Sequence, residues 1–142
     1  MNIQWFPGHM VKARRLVSEN LKMVDVVIEI LDARIPYSSK NPEIDDILKS
    51  KPKVVVFNKA DLADMKISND WSNWYSANGY PNVFIDSISG KGTKQLILQL
   101  KEMMKDKIDK EKQKGRIYRP IRTMMVGIPN VGKSSLINKI AG

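Results

Sequence analysis

Short apolar runs alternate with amphipathic segments along this chain. Val24 to Leu31 and Lys53 to Phe57 are rich in β-branched residues and are bounded by turn residues, which is typical of strands buried on both sheet faces. Val83 to Asp86 and Ile121 to Val126 predict two more strands. Apolar positions at helical spacing predict helices from His9 to Lys22, after Asn41-Pro42-Glu43, from an N-cap at Ser68 to Asn78-Gly79, and from Thr93 to Gly115.

The alternation of strands and helices predicts the fold class. Such an order implies right-handed β-α-β units, and therefore a three-layer α/β fold in which a parallel sheet carries helices on both faces. With 142 residues, the chain is expected to form one domain.

Composition narrows the classes of partner and site. The chain has 24 Lys plus Arg against 15 Asp plus Glu, so 24 − 15 gives a net charge of +9. This excess fits either a polyanionic partner such as nucleic acid or a solvated basic surface. Zero cysteines exclude disulfides, thiolate metal sites and a cysteine nucleophile. No signal peptide or membrane-spanning run is visible, and a cytoplasmic protein is expected.

A phosphate-binding loop is predicted directly after the last strand. Residues 127–134, GIPNVGKS, fit the P-loop pattern G-x-x-x-x-G-K-[ST] and open the final helix. Glycines let backbone N–H groups approach phosphate oxygens, the Lys133 ammonium can reach the β and γ phosphates, and the Ser134 hydroxyl can bind Mg²⁺. The predicted phosphate-binding residues are Gly127, Asn130, Val131, Gly132, Lys133, Ser134 and Ser135.

A second motif predicts which base is bound. Asn58-Lys59-Ala60-Asp61 follows the strand ending at Phe57 in the arrangement N-K-x-D. The Asp61 carboxylate can accept hydrogen bonds from N1–H and the amino group of guanine, whereas adenine has an acceptor at N1. Asn58 can bond the base and nearby backbone, and the aliphatic stem of Lys59 can lie on the base. Alone, this tetrapeptide is an ordinary polar strand exit; beside a P-loop, it favours a guanine site.

A third segment completes a recognisable set. Ser87-Ile88-Ser89 follows the third strand and resembles the short loop whose backbone N–H contacts guanine O6 in GTPases. Because this loop and N-K-x-D precede the P-loop, the order is the reverse of that in Ras-like proteins. Together with residues 4–10, QWFPGHM, and 32–36, DARIP, these motifs resemble the circularly permuted ribosome biogenesis GTPases. The resemblance covers the whole chain.

This resemblance implies a fold, an activity and partners. The fold would be a circularly permuted P-loop GTPase with its strands in the spatial order Ile121 to Val126, Val24 to Leu31, Lys53 to Phe57, Val83 to Asp86. The activity would be GTP hydrolysis by water attack in late assembly of the bacterial large ribosomal subunit, with GTP or GDP and Mg²⁺ as ligands and the subunit precursor and ribosomal RNA as partners. In related GTPases an asparagine like Asn130 lies where K⁺ binds; a turn-stabilising asparagine is the equal alternative.

The resemblance also indicates what is missing. Family members need a switch threonine and a D-x-x-G motif after the P-loop to sense the γ-phosphate, and these 142 residues contain no Asp-x-x-Gly. The chain ends at Ala141-Gly142, so we expect an N-terminal fragment without the switch motifs and the C-terminal helical domain, monomeric and weakly active or inactive by itself. Without the strands that would extend the sheet, the edge at Ile121 is expected to be open or covered by a partner chain.

Two further residues are candidates at the ligand edge of the sheet. His9 is the only histidine, and helix and strand lengths place it where nucleotides bind. In the family an apolar residue replaces the usual water-positioning glutamine, so His9 could orient the attacking water; a polar surface or capping role is the alternative. Arg34 either reaches phosphate or RNA or pairs with Asp32.

Basic residues with aromatics nearby form a candidate surface for ribosomal RNA, with core packing of the aromatics as the alternative. The set comprises Lys12, Arg14, Arg15, Lys22, the cluster from Lys105 to Lys114, Arg116, Arg119 and Arg122, with Trp5, Phe6 and Tyr118 near them. Two other functions stay open on the sequence: a non-hydrolysing RNA-binding module with a structural nucleotide site, and an ATP-dependent P-loop protein.

Overall fold

A single parallel sheet organises the chain. The computed structural model describes residues 2–4, 10–34, 46–48, 51–58, 64–86, 88–115 and 121–127. Its strands are β1 (Asn2–Gln4), β2 (Val26–Asp32), β3 (Lys53–Asn58), β4 (Asn82–Phe84) and β5 (Thr123–Gly127). Its helices are α1 (Met10–Leu21), α2 (Met65–Ala77) and α3 (Thr93–Gln113), and residues 46–48 are also helical. The strands lie in the order β1-β5-β2-β3-β4, and every pairing is parallel.

The predicted strand order is confirmed, but the predicted open edge is wrong. β5, β2, β3 and β4 follow one another as expected. The outer side of β5 is occupied by β1, which pairs Asn2 with Met125 and Gln4 with Gly127. A strand of three residues is too short to produce a periodic pattern, so the sequence carried no signal for it.

Helices cover both faces of the sheet, as predicted. Leu96 and Leu100 of α3 belong to the core of one face, and Val17 and Leu21 of α1 belong to the core of the other. On this second face Tyr75 of α2 lies in a third apolar cluster. Every residue of β2 and β3 is buried. Strands covered on both sides are mainly apolar, which explains their largely continuous rather than alternating apolar pattern.

The start of β2 is set by a carboxylate. The sequence predicts a strand from Val24, whereas the strand begins at Val26. Asp25 accepts hydrogen bonds from the Lys107 ammonium of α3 at 2.6 Å and from the Arg122 N–H at 2.9 Å. This carboxylate therefore joins three segments that are far apart in sequence.

The N-terminus of α2 differs from the prediction. The sequence predicts Ser68 as the cap of this helix, but Asp64 caps it: its Oδ1 accepts from the N–H groups of Lys66 at 2.9 Å and Ile67 at 3.2 Å. Ser68 is instead buried inside the helix. Both residue types are good N-caps, and one more turn of helix was hidden because exposed Met65 and Ile67 interrupt the apolar pattern. The predicted end at Asn78-Gly79 is confirmed.

The remaining elements agree with the prediction within the described residues. The crossover helix after Asn41-Pro42-Glu43 is seen only at 46–48, where Leu48 is buried, and its predicted start lies outside the described residues. Strand β4 is shorter than expected because Asp86 forms an antiparallel bridge with Lys91. None of the described helices has the length and apolarity to cross a bilayer.

Replacing Gly92 is expected to lower the stability of the domain. Gly92 precedes α3 with φ of 88°, and a Cβ there would overlap the carbonyl oxygen of Phe84. We expect Gly92→Ala to lower the free energy of unfolding by about 2 to 5 kcal/mol, combining left-handed strain and overpacking. Gly79 has φ of 84°, and a Cβ added there would meet no atom within 4 Å. Gly79→Ala should therefore cost only about 1 to 2 kcal/mol in urea unfolding. Equal losses would contradict the overlap.

Candidate site at the carboxyl edge of the sheet

The three predicted nucleotide segments begin at one edge of the sheet. Because all strands are parallel, their carboxyl ends lie together, and this is where ligands of such folds bind. β5 ends at Gly127, the first residue of the P-loop, and β3 ends at Asn58, the first residue of N-K-A-D. The serine segment 87–89 follows β4. β5 and β3 are separated only by β2, so their axes lie about 10 Å apart.

Only part of the predicted site falls on described residues. These are Asn58, Ile88, Ser89 and Gly127. The others lie outside the described residues, so their roles stay predictions: His9, Lys59, Ala60, Asp61, Ser87, Asn130, Val131, Gly132, Lys133, Ser134 and Ser135.

Asn58 is held firmly at the end of β3. It is only 1% exposed and lies in register with Asp32 of β2. Its carbonyl oxygen accepts a hydrogen bond from the Ala33 N–H at 2.8 Å. The residue that begins N-K-A-D is therefore anchored to the neighbouring strand, which gives the motif a rigid origin.

Asp32 and Arg34 form a compact pair beside Asn58. Asp32 Oδ2 lies 2.7 Å from Arg34 Nη2, and Oδ1 accepts from Arg34 Nε at 3.0 Å and from the Arg34 N–H at 2.9 Å. The hydrogen bond and the charge of Asp32 raise the pKa of Arg34 above its usual value. Of the two roles left open for Arg34, pairing with Asp32 is confirmed. The pair keeps a nearly buried carboxylate neutralised at the ligand edge.

The serine segment belongs to a tight loop that Asp86 organises. Asp86 Oδ1 accepts from the Ile88 N–H at 3.0 Å, and the Asp86 carbonyl accepts from the Gly90 N–H at 2.8 Å. Ser89 Oγ accepts from the Lys91 N–H at 3.3 Å, while the Ile88 side chain is 79% exposed. Sequence reasoning missed Asp86 and Lys91. An aspartate at a strand end shortly before two glycines is a turn signal that could have identified the first.

A cavity of about 250 Å³ adjoins this loop between α2 and β4. It is lined by Met65, Ser68, Asn69, Phe84, Ile85, Asp86 and Lys91. Its walls are mainly apolar, and the buried Ser68 Oγ has no hydrogen-bond partner among the residues that the structure describes. The sequence carried no signal for this cavity, because its lining comes from two elements joined only by packing.

The N-terminal strand brings a further segment to the same edge. Gln4, the last residue of β1, lies in register with Gly127, and α1 begins at Met10. His9 is in the short segment between these two points, outside the described residues. No cluster of three or more metal-ligating side chains occurs in the described part of the chain. The predicted Mg²⁺ ligand Ser134 lies outside it.

Comparisons with known proteins agree with this arrangement. A family model described as "50S ribosome-binding GTPase" matches residues 122–142. "Ribosome biogenesis GTPase A" of Bacillus licheniformis is 53% identical over 141 residues, 99% of this chain and 50% of the relative. "Mitochondrial ribosome-associated GTPase 1" of Mus musculus is 38% identical over 138 residues, 96% of this chain and 41% of the relative.

Solved structures share the fold. The chain superposes on GNP-bound YlqF from T. maritima with a TM-score of 0.69 and 29% identity, over 92% of this chain and 48% of that one. For GDP-bound YlqF the TM-score is 0.66 and the identity 28%, over 88% and 47% of the two chains. The permuted motif order, the parallel sheet and these similarities coincide. Over nearly its whole length the chain is therefore homologous to the circularly permuted ribosome biogenesis GTPases, and it spans about half the length of the relatives it matches.

Proposed function

We propose that this chain is the guanine-nucleotide-binding part of a GTPase that assists assembly of the large ribosomal subunit. The observation that carries the proposal is the meeting of Gly127, Asn58 and the loop after β4 at one edge of a parallel sheet. Each begins a segment with a different task toward a nucleotide. The relatives named for ribosome biogenesis and the nucleotide-bound YlqF structures support the same function.

Base recognition is assigned to the segment after β3. The Asp61 carboxylate accepts from the two donors of the guanine edge, and Lys59 covers the base with its aliphatic stem. Asn58 connects the base site to the sheet, because its backbone is bonded to Ala33. The loop containing Ile88 and Ser89 supplies the other wall. Since the Ile88 N–H already donates to Asp86, guanine O6 would compete with that carboxylate for the N–H.

Phosphate binding is assigned to the segment after β5. Buried Gly127 starts it at the ligand edge, and the residue types of 127–135 fit a magnesium nucleotide. Lys133 supplies charge to the β and γ phosphates, Ser134 is the proposed Mg²⁺ ligand, and Asn130 is the proposed K⁺ ligand. When bound, Mg²⁺ neutralises charge on the phosphates.

Hydrolysis is attributed to water attack on the γ-phosphate, with His9 orienting the water. The register of Gln4 with Gly127 supports this role, because Gln4 precedes His9 by five residues along the chain and Gly127 is the first residue of the P-loop. A neutral imidazole can accept a hydrogen bond from water and so align the water for attack. The switch motifs absent from these 142 residues would complete the site.

The proposed partners are the precursor of the large ribosomal subunit and its RNA, and the proposed location is the cytoplasm. The alternative is a non-hydrolysing RNA-binding module whose nucleotide only stabilises the fold, which the net charge of +9 also fits. GTP turnover of a form of the protein that includes a D-x-x-G segment, measured with and without ribosomal particles, separates the two. Stimulated turnover supports the assembly GTPase, and absent turnover supports the binding module.

Calorimetric titration of Lys133→Ala tests the phosphate site. We expect GTP affinity to fall by about 2 to 3 kcal/mol, since one charged hydrogen-bonding group is lost, while guanosine affinity stays unchanged. Lys22→Ala, at an exposed lysine after α1, serves as control. ATP should bind far more weakly than GTP to the unmodified protein. Equal losses for GTP and guanosine would indicate unfolding, and equal ATP and GTP affinity would contradict the guanine site.

A further inference from the structure

Four lysines lie in one line along the exposed surface of α3. Lys94, Lys101, Lys105 and Lys112, here called the lysine stripe, are spaced by seven, four and seven residues and are all exposed. At 3.6 residues per turn these spacings place them within about 20° of a common line. The stripe extends over 18 residues, or roughly 27 Å at 1.5 Å per residue.

The charge of the stripe is not neutralised by its neighbours. None of its lysines forms an ion pair with another residue in the described parts of the chain. Lys107, on a different side of the same helix, is paired with Asp25 at 2.6 Å. The acidic residues Glu102, Asp106 and Asp109 follow a parallel line about 60° to 120° around the helix. The acidic residues flank the stripe on one side, with Glu102 and Asp109 three or four residues from Lys105 or Lys112, and form no ion pair with either lysine in the described parts of the chain.

The fold directs this surface outward from a fixed base. Leu96, Leu100 and Met104 anchor α3 on the sheet face opposite to α1 and α2. Lys94 lies two residues after Gly92, so the stripe begins close to the loop that contains Ile88 and extends away from it. Leu98 lies within the stripe and is 65% exposed, which offers an apolar contact among the charges.

We propose that the lysine stripe binds the phosphate backbone of an RNA duplex in the assembling particle. This inference rests on the proposed function. Lysine ammonium groups bind phosphate as point charges without reading the base, and duplex RNA is recognised mainly by shape and backbone contacts. A rigid row of charges of about 27 Å suits a rigid polyanion with regularly repeated charges. An exposed Leu98 can pack on ribose between them.

The test is a salt titration of RNA binding with the double variant Lys101→Gln, Lys105→Gln in the protein that contains this chain. The probe is an RNA duplex of about 20 base pairs, slightly longer than two successive minor grooves, measured in parallel with a second duplex of unrelated sequence. The slope of log affinity against log salt is negative, and each lost phosphate contact reduces its magnitude by about 0.9. We expect the slope to become shallower by about 2 and affinity at about 0.1 M salt to fall roughly 10- to 100-fold, equally for both duplexes.

Two controls separate the stripe from general charge and from the nucleotide site. Lys51→Gln, Lys66→Gln removes the same charge at positions outside α3 and outside the candidate RNA surface, and should leave the slope within about 0.5 of the original. GTP affinity should be unchanged in both double variants. Polyglutamate, a polyanion without phosphate or ribose, is titrated in parallel. An unchanged slope in the stripe variant, an equal loss of RNA affinity in the control variant, or a loss of polyglutamate binding without a loss of RNA binding would overturn the inference. Failure of the unmodified protein to bind GTP would instead refute the proposed function.

Discussion

Asp61→Asn is expected to weaken GTP binding by about 3 to 5 kcal/mol, or roughly 150- to 5,000-fold, and to reverse the base preference. The carboxylate of Asp61 would accept two hydrogen bonds from guanine, and a bond to a charged group contributes about 1.5 to 3 kcal/mol. An amide at this position presents a donor to the guanine amino group. Xanthine has a carbonyl there, so XTP should bind the variant better than GTP does.

A matched variant is available three residues further along the chain. Asp64 is exposed and caps α2, and asparagine is an equally good N-cap, so Asp64→Asn removes the same charge without loss of the helix. Calorimetric titration with GTP and XTP should show no change of preference in this control. If Asp61→Asn binds GTP as well as the unmodified protein does, N-K-A-D does not contact the base.

His9→Ala is expected to lower ribosome-stimulated GTP turnover by roughly ten- to a thousandfold while GTP affinity stays nearly constant. The reason is that a group that aligns water acts in the transition state and contributes little to ground-state binding. The measurement needs a form of the protein that includes a D-x-x-G segment, since these 142 residues contain none. Single-turnover rates with saturating GTP isolate the chemical step.

A conservative variant distinguishes water alignment from a structural role. Glutamine retains a donor and an acceptor, so His9→Gln should recover part of the turnover that His9→Ala loses. A structural role would instead appear as a loss of GTP affinity or of folding in His9→Ala. Unchanged turnover in His9→Ala would return His9 to a polar surface or capping position.

The central strands were predictable from local signals, and their order from the resemblance to circularly permuted GTPases. β2 and β3 are buried on both faces, and such strands are rich in β-branched and apolar residues along most of their length. The motif order N-K-x-D before the P-loop then implied which strands are neighbours. The ends of α2 and α3 were also predictable, because a glycine after the last turn of a helix commonly adopts the left-handed conformation that ends it. Gly79 and Gly115 both have positive φ, as this expectation requires.

The errors have two different physical causes. β1 exists because three residues pair with β5, and nothing in Asn2 to Gln4 requires a strand without that partner. The N-cap of α2 was misassigned because Asp64 and Ser68 can both cap a helix, and exposed Met65 and Ile67 hid the turn between them.

The sequence by itself determined the fold class, the permuted motif order and the residue types of the proposed nucleotide site, because a glycine-rich loop, its lysine and N-K-A-D are signals carried by neighbouring residues. Only the tertiary structure decided how the other charges are used. Glu29 and Lys53 are buried in adjacent strands, where the ammonium lies 3.3 Å from the carboxylate and 4.6 Å from the centre of the Tyr80 ring. Lys107 is paired with Asp25, while the lysine stripe stays exposed. Whether a charged side chain forms an ion pair or stays exposed depends on which helices and strands pack against each other. Spacing along the chain does not determine that packing.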